Sequence, residues 1–263
     1  MCRDCGCSDT SDFKLTKIMQ LSLDVNVGGP LLPSGHAHDH VSRIEHCDNV
    51  NLEMDVLTQN DELAEANRDF FSRSSIVAIN LLSSPGAGKT TLLVDTISKL
   101  KSSIEFYVVE GDQQTLNDAQ RISATGVPVV QINTGDGCHL DASMVDRACK
   151  ELKPTNGSIL FIENVGNLVC PAMFDLGEIY RVVIVSITEG EDKPLKYPNI
   201  FESADICIIN KIDLLPYIIF DIELLKENIR RVNPHALIFE NTNQSEGTGW
   251  LNWMRRIMRG VTN

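Results

Sequence analysis

Short apolar runs, each closed by turn residues, punctuate the chain: IVAINLL (76–82), EFYVVE (105–110), PVVQIN (128–133), SILFIEN (158–164), RVVIVSI (181–187), DICIIN (205–210) and ALIFEN (236–241). They are Val/Ile/Leu-rich and barely alternate between apolar and polar positions, as strands covered on both faces do. Between most of them lie stretches of helical periodicity, at 89–101, 141–152 and 221–232, and WLNWMRRIMRG reads as a closing helix. Strands alternating with helices predict an α/β fold with a mostly parallel, doubly wound sheet flanked by helices. Ahead of it, Leu52, Val56, Leu57, Leu63, Ala64, Phe70 and Phe71 recur at roughly helical spacing and predict an amphipathic leading helix.

Residues 1–50 have a different texture. A Cys-rich tip and a short apolar stretch precede GGPLLPSGHAHDH, whose glycines and prolines suit a flexible arm. The predicted organisation is therefore an N-terminal Cys/His-containing arm over 1–50 and one domain over 51–263, with no internal repeat.

Composition narrows the partners. The chain has 263 residues, enough for one sizeable core plus an arm, and its apolar (43%) and charged (22%) fractions are those of a globular protein. A formal net charge of −13 argues against a nucleic-acid backbone or an anionic membrane as the main partner. No apolar run approaches a membrane span, and MCRDCGCSDTSDFK lacks the apolar core of a signal peptide. Eight unevenly spread cysteines do not make a secreted disulfide scaffold, so a reducing cytoplasm is expected, with thiols reduced or metal-bound.

Two motifs speak for a nucleotide. SSPGAGKTT (83–91) follows an apolar strand and opens a helix, the context a phosphate-binding P-loop requires. Across Pro85, Gly86, Ala87 and Gly88 the glycines let backbone N–H groups face phosphate oxygens. Lys89 would neutralise the β- and γ-phosphates, Thr90 offers a hydroxyl to Mg²⁺, and Thr91 continues the helix N-terminus with its positive dipole end. Ser83 stands where the usual pattern has Gly. The second motif, NKID (210–213), closes a later strand. Asp213 could accept from guanine N1–H and the exocyclic amine, which adenine does not offer, while Lys211 lays its stem over the base beside Asn210. Four such residues alone often form an ordinary turn; together with the P-loop they favour GTP over ATP.

Asp112 and Glu163, both at strand ends, are candidates for Mg²⁺ binding and water positioning, because ligands collect at the carboxyl ends of parallel strands. With Lys89 they form the candidate catalytic set; the alternative for either acid is a helix cap or a solvated turn.

Two sets of thiols and imidazoles suggest metal. Cys2, Cys5 and Cys7 can wrap one soft or borderline ion, and loss of Met1 would add an amine nitrogen; Ni²⁺ suits that set, and Zn²⁺ or Cu(I) would also bind. A redox-labile cluster is the alternative. His36, His38 and His40 fit a supplementary metal site or a polar linker equally well. Cys138 and His139 follow the turn-rich NTGDG; alone they suit packing, but Cys170 follows another strand at the same expected sheet end and favours a shared site. Cys47, Cys149 and Cys207 are assigned to packing or linker.

Taken together, MCRDCGC, SSPGAGKTTLL, EGDQQTLNDAQRI, GVPVVQINTGDGCHLDA, FIENVGNLVCPA, VSITEGEDKPLKYP and NKIDLLP resemble the hydrogenase nickel-incorporation GTPases, the HypB family of P-loop NTPases. The resemblance implies a metallochaperone that hydrolyses GTP to GDP slowly and delivers nickel during [NiFe]-hydrogenase maturation. It implies a tight nickel site at Cys2, Cys5 and Cys7 and a weaker zinc or nickel site at Cys138, His139 and Cys170. It further implies GTP-dependent homodimerisation, a small zinc-containing accessory protein and the hydrogenase large-subunit precursor as partners. The loop ENTNQSEG departs from the Ser-Ala-Lys type of base-supporting loop. Glu163 and Cys170 share one short segment, so nucleotide state is expected to bias metal geometry.

Overall fold

The computed structural model describes residues 14–18, 46–113, 115–242 and 249–261, with side chains in the first helix from Asp55 onward. Its strands are β1 (Lys14–Ile18), β2 (Val77–Ser83), β3 (Phe106–Asp112), β4 (Val129–Asn133), β5 (Ile159–Glu163), β6 (Tyr180–Ser186), β7 (Ile206–Asn210) and β8 (Leu237–Glu240). They form one sheet in the order β1-β4-β3-β5-β2-β6-β7-β8. From β4 to β8 every pairing is parallel; β1 alone runs antiparallel, along β4. Each run expected as a strand is one, within a residue or two at its ends.

Helices α2 (Lys89–Leu100), α3 (Asn117–Ser123) and α8 (Gly249–Val261) cover one face, packing Leu92, Leu93, Ile97, Ile122, Trp250 and Met254 on Ile79, Val108, Phe161 and Ile184. The opposite face carries α1 (His46–Arg73) and α4 (Ala142–Leu152) over β2 to β5, then α6 (Pro198–Glu202) and α7 (Ile222–Val232) over β6 and β7; α5 (Lys193–Lys196) is a single turn ahead of α6. Consecutive strand residues serve opposite cores, which is why the runs show so little alternation.

Two elements lie inside the stretch read as an arm. β1 pairs through its backbone with the outer edge of β4, whose N–H and C=O groups would otherwise face solvent. The leading helix begins at His46, ahead of the expected Asn51. Cys2, Cys5, Cys7, His36, His38 and His40 lie outside the described residues. Among the described residues, no helix is long and apolar enough to cross a membrane.

Candidate nucleotide and metal sites

The strand order reverses around β2: β3, β4 and β5 lie to one side of it and β6, β7 and β8 to the other. Ligands of open α/β sheets bind at the carboxyl end of such a reversal. SSPGAGKTT occupies that place. Gly86 and Gly88 take φ values of 75° and 100°, in the left-handed region that glycine tolerates. A Cβ on Gly88 would lie 2.5 Å from Asn210 Nδ2, so the loop's path depends on the missing side chain.

Ser83, which stands in place of the usual glycine, is fully buried and has a defined job. Its hydroxyl donates to the Ser84 carbonyl at 2.6 Å and accepts from Lys89 Nζ at 3.0 Å, parking the lysine over the loop. Burial lowers the Lys89 pKa, and Glu163 is the largest counterweight. Thr90 Oγ1 donates to Glu163 Oε1 at 2.6 Å. Lys89, Thr90 and Glu163 therefore converge, as expected of a site for phosphate and its cation. Burial pushes Glu163 up to about 7, against the pull of Lys89 and the Thr90 hydrogen bond, and its Oε2 has no hydrogen-bond partner. A buried carboxylate with an orphaned oxygen beside a P-loop threonine fits a hard divalent cation such as Mg²⁺, which takes oxygen ligands.

Asp112 lies nearby but is otherwise engaged. Its carboxylate accepts from Gln113 N at 2.7 Å, Thr115 Oγ1 at 2.7 Å and Thr115 N at 3.2 Å, the turn-capping alternative weighed for it. The sequence reading passed over Glu110, two residues earlier. It is 2% exposed, and burial first, then Glu163 and Asp112, pushes it up to about 9. Its only sequence signal is a carboxylate closing an apolar run.

The base motif is stitched to the P-loop. Asn210 Nδ2 donates to the Ala87 carbonyl at 2.8 Å, and Lys211 Nζ donates to the Gly86 carbonyl at 2.7 Å. Asn241, a buried residue of the loop that departs from the usual pattern, donates from Nδ2 to Asn210 Oδ1 at 2.9 Å. Asp213 Oδ1 is buried without a partner among the described residues. An acceptor so placed fits a ligand that brings its own N–H donors.

The thiol and imidazole residues meet at the same end of the sheet. Cys138 and His139 follow β4, Cys170 follows β5, and one ligand atom from each lies within 4.8 Å of the other two. Cys138 Sγ is 3.7 Å from His139 Nδ1. Two Zn–S bonds of about 2.3 Å span about 4.6 Å at most, so one ion reaches all three with little movement. The imidazole stacks on Phe174 at 3.9 Å between centroids, and burial lowers its pKa, favouring the neutral form that binds metal. Two thiolates and one imidazole suit a borderline ion and leave a fourth position open. Cys149 and Cys207, by contrast, are buried, and burial pushes each up to about 12, as packing thiols require. Cys47 falls in α1.

The two sites share the end of β5. Glu163 turns toward Thr90, while its neighbour Asn164, 1% exposed, accepts from Leu140 N at 3.0 Å on the other face. Asn167 Nδ2 donates to the Cys138 carbonyl at 3.4 Å. Gln113 Nε2 donates to the Gly137 carbonyl at 3.3 Å, so the loop after β3 also touches the metal loop.

A P-loop at the sheet reversal, with its lysine and threonine aimed at a buried acid, defines a P-loop NTPase, and beside it Cys138, His139 and Cys170 form a cluster that could hold a metal ion. The family profile for the CobW/HypB/UreG nucleotide-binding domain matches residues 77–240. The hydrogenase maturation factor HypB of Azotobacter chroococcum is 53% identical over 224 residues, 84% of this chain and 73% of that protein. Its Escherichia coli K12 counterpart is 51% identical over 222 residues, 84% and 77% of the two chains. A crystal structure of HypB from Helicobacter pylori in complex with nickel superposes with a TM-score of 0.70 at 37% identity, covering 77% of this chain and 96% of that one. HypB from Archaeoglobus fulgidus gives 0.71 at 39% identity, over 76% and 99%. The chain belongs to the CobW/HypB/UreG family, on its HypB branch.

Proposed function

We propose that this chain is a GTPase that hydrolyses GTP to GDP and phosphate and uses that cycle to deliver nickel during maturation of a [NiFe]-hydrogenase. The relatives' names, hydrogenase maturation factor, and the nickel complex of the Helicobacter pylori relative support the pathway and the cargo. The observation that carries the coupling is the junction at β5, where adjacent residues hold Thr90 and the metal loop.

In this reading Pro85 to Thr91 wrap the phosphates, Lys89 leaves Ser83 for the β- and γ-oxygens, and Asn210, Lys211 and Asp213 read guanine. Thr90 and Glu163, with Asp112, would hold a Mg²⁺ ion, which would supply charge neutralisation at the phosphates. A water oxygen bonds to the γ-phosphorus as the bond to the bridging oxygen breaks, and the protein contributes position and charge. Arg121, whose charge reaches Glu163, bonds Thr91 and Asp118 instead of facing the phosphates, so slow turnover is expected.

The cargo metal sits on Cys138, His139 and Cys170, in exchange with Cys2, Cys5 and Cys7, and Zn²⁺ competes for the same donors. GTP binding orders the segments after β3 and β5 and favours a homodimer through this domain. A small zinc-containing accessory protein and the hydrogenase large-subunit precursor then receive nickel, in the cytoplasm.

Nickel and zinc titrations with GDP and with a non-hydrolysable GTP analogue test this. They compare wild type, a Cys2/Cys5/Cys7 triple Ala variant and a Cys138/His139 double Ala variant. Each variant should lose one site, and the nucleotide should change the affinity of the Cys138 site. Unchanged stoichiometry in the double variant, with no nucleotide effect on any affinity, would overturn the coupled reading; comparable ATP and GTP affinities would overturn the guanine reading.

A further inference from the structure

Gln131 of β4, Glu110 of β3 and Glu163 of β5 are register partners, so their side chains leave one sheet face side by side. Two residues back along each strand, the same face is apolar: Val129, Val108 and Phe161 pack in the core under α2, α3 and α8. At the nucleotide end the row turns polar yet stays buried, at 1%, 2% and 3% exposed.

The three residues share an unusual deficit. Gln131 Oε1, Glu110 Oε2 and Glu163 Oε2 are buried and have no hydrogen-bond partner among the described residues. The other ends of two of them are fixed: Gln131 Nε2 donates to the Thr115 carbonyl, and Glu163 Oε1 accepts from Thr90. Buried acceptors are normally satisfied, and a row of three that is not is open to donors from outside the chain. The charged neighbours of Glu110 are Glu163, Asp112, Asp118 and Lys89, a net acidic set. A donor-rich cation matches both the charge and the hydrogen-bond deficit. A divalent ion with its bound waters is such a ligand, and Mg²⁺ in phosphate sites usually keeps several.

We propose that Glu110 is a positioning residue for the nucleotide's cation: with Gln131 it accepts hydrogen bonds from the waters of a hydrated divalent ion anchored at Thr90 and Glu163. This rests on the nucleotide-and-cation reading above and adds to it a row of acceptors reaching β4. Through Gln131 and the Thr115 carbonyl, the row also ties the cation's water shell to the turn that holds Asp112. Glu110 thereby controls how firmly the cation sits, and only through it the phosphates.

Mn²⁺ is the probe, because it is paramagnetic and binds thiol and imidazole donors more weakly than later first-row ions. Free Mn²⁺ is measured by electron paramagnetic resonance against the full-length, metal-stripped protein, with and without GDP. Fluorescent GDP affinity in chelator and thermal melting are followed in parallel. The variants are Glu110→Gln, which keeps the shape, and Glu110→Met, which replaces the acid with an apolar side chain of similar length. The GDP-dependent Mn²⁺ affinity should fall about 10-fold in Glu110→Gln and further in Glu110→Met, the range seen when a group supporting a metal's ligands is removed. GDP affinity in chelator and melting temperature should hold in Glu110→Gln, a split that a purely structural role would not produce. Wild-type Mn²⁺ affinity in both variants would overturn the proposal while leaving the nucleotide reading intact. Wild-type protein that binds GDP but shows no GDP-dependent Mn²⁺ binding would overturn both.

Discussion

Asp213→Asn isolates the guanine reading in one atom. The residue lies in the 3-10 turn Ile212–Tyr217, set by Lys211 in a left-handed conformation at φ 61°. Its Oδ1 is buried without a partner, so the fold already bears the cost of desolvating it. Guanine offers two donors, N1–H and the 2-amino group, to the two carboxylate oxygens. Asparagine turns one acceptor into a donor, leaving one neutral hydrogen bond and one donor facing a donor. A hydrogen bond to a charged group contributes about 1.5–3 kcal/mol, so removing one and weakening the other costs about 3 kcal/mol or more. At 1.4 kcal/mol per tenfold, GDP affinity should fall on the order of 100-fold. Xanthine carries a carbonyl where guanine has the amine, so xanthosine diphosphate should bind the variant better than wild type.

Displacement of a fluorescent guanine nucleotide by GDP, ADP and xanthosine diphosphate measures all three affinities in one format. The substitution is isosteric, so the melting temperature of the nucleotide-free protein serves as the folding control. Unchanged GDP affinity in Asp213→Asn, with ADP still excluded, would mean that the base is read elsewhere. The unpartnered oxygen would then carry no information about the ligand.

Three further outcomes follow from the geometry. Cys170→Ala leaves two of three converging donors, so Zn²⁺ and Ni²⁺ affinity at that site should drop by about 10-fold or more by competition with a chromophoric chelator, and an unchanged value would remove Cys170 from the site. Asn164→Ala strips the acceptor from Leu140 N and should lower stability by about 1–3 kcal/mol in urea; metal affinity should cease to respond to nucleotide, and persistence of that response would refute the link. The third concerns pH. Without nucleotide and in chelator, Glu163 (about 7) and Glu110 (about 9) keep protons that the unfolded chain releases near 4.5. Their stabilisation is therefore complete below about 4.5 and is lost as pH rises through 7 and toward 9. Between pH 6 and 8.5 Glu163 accounts for a loss on the order of 1 kcal/mol and Glu110 for more, so the urea midpoint should be lower at pH 8.5 than at 6, and Glu163→Gln should flatten part of the decline. A midpoint that rises over that interval in wild type would contradict the burial argument.

The central strands were legible because parallel strands buried on both faces must be apolar almost throughout, and IVAINLL and DICIIN are. The convergence of Cys138, His139 and Cys170 was legible because Cys138 and Cys170 each follow such a strand, and parallel strands deliver their following loops to one end. β1 was not legible: an edge strand of five residues, KLTKI, pairs through its backbone with β4, and its register is set by that partner. Glu110 was hidden for a different reason. As the last residue of EFYVVE it reads as the end of a run, and only the pairing with Glu163 on one side and Gln131 on the other makes it part of a buried row. Asn164 and Asn241 escaped likewise, since their partners, Leu140 N and Asn210 Oδ1, are distant along the chain.

In the proposed coupling, the end of β5 is a short path between the nucleotide end and the Cys138–His139–Cys170 cluster. β5 is held between β2 and β3 along its length, so it cannot shift as a body without breaking both ladders. Movement is confined to the residues just past Glu163, and there the contacts are dense. A Cβ on Gly166 would sit 3.0 Å from Pro85 Cα, so the segment already presses on the P-loop backbone. Three residues after Glu163 it touches the P-loop, at Asn167 it holds the Cys138 carbonyl, and at Cys170 it supplies a thiolate. Because side chains alternate across a strand, Glu163 and Asn164 must face opposite cores, one toward Thr90 and one toward Leu140. In the proposed coupling, a change in how Thr90 and Glu163 share a proton or a cation would act on both halves of the Cys138–His139–Cys170 cluster, through Asn164 on the Cys138–His139 loop and through 165–170 on Cys170.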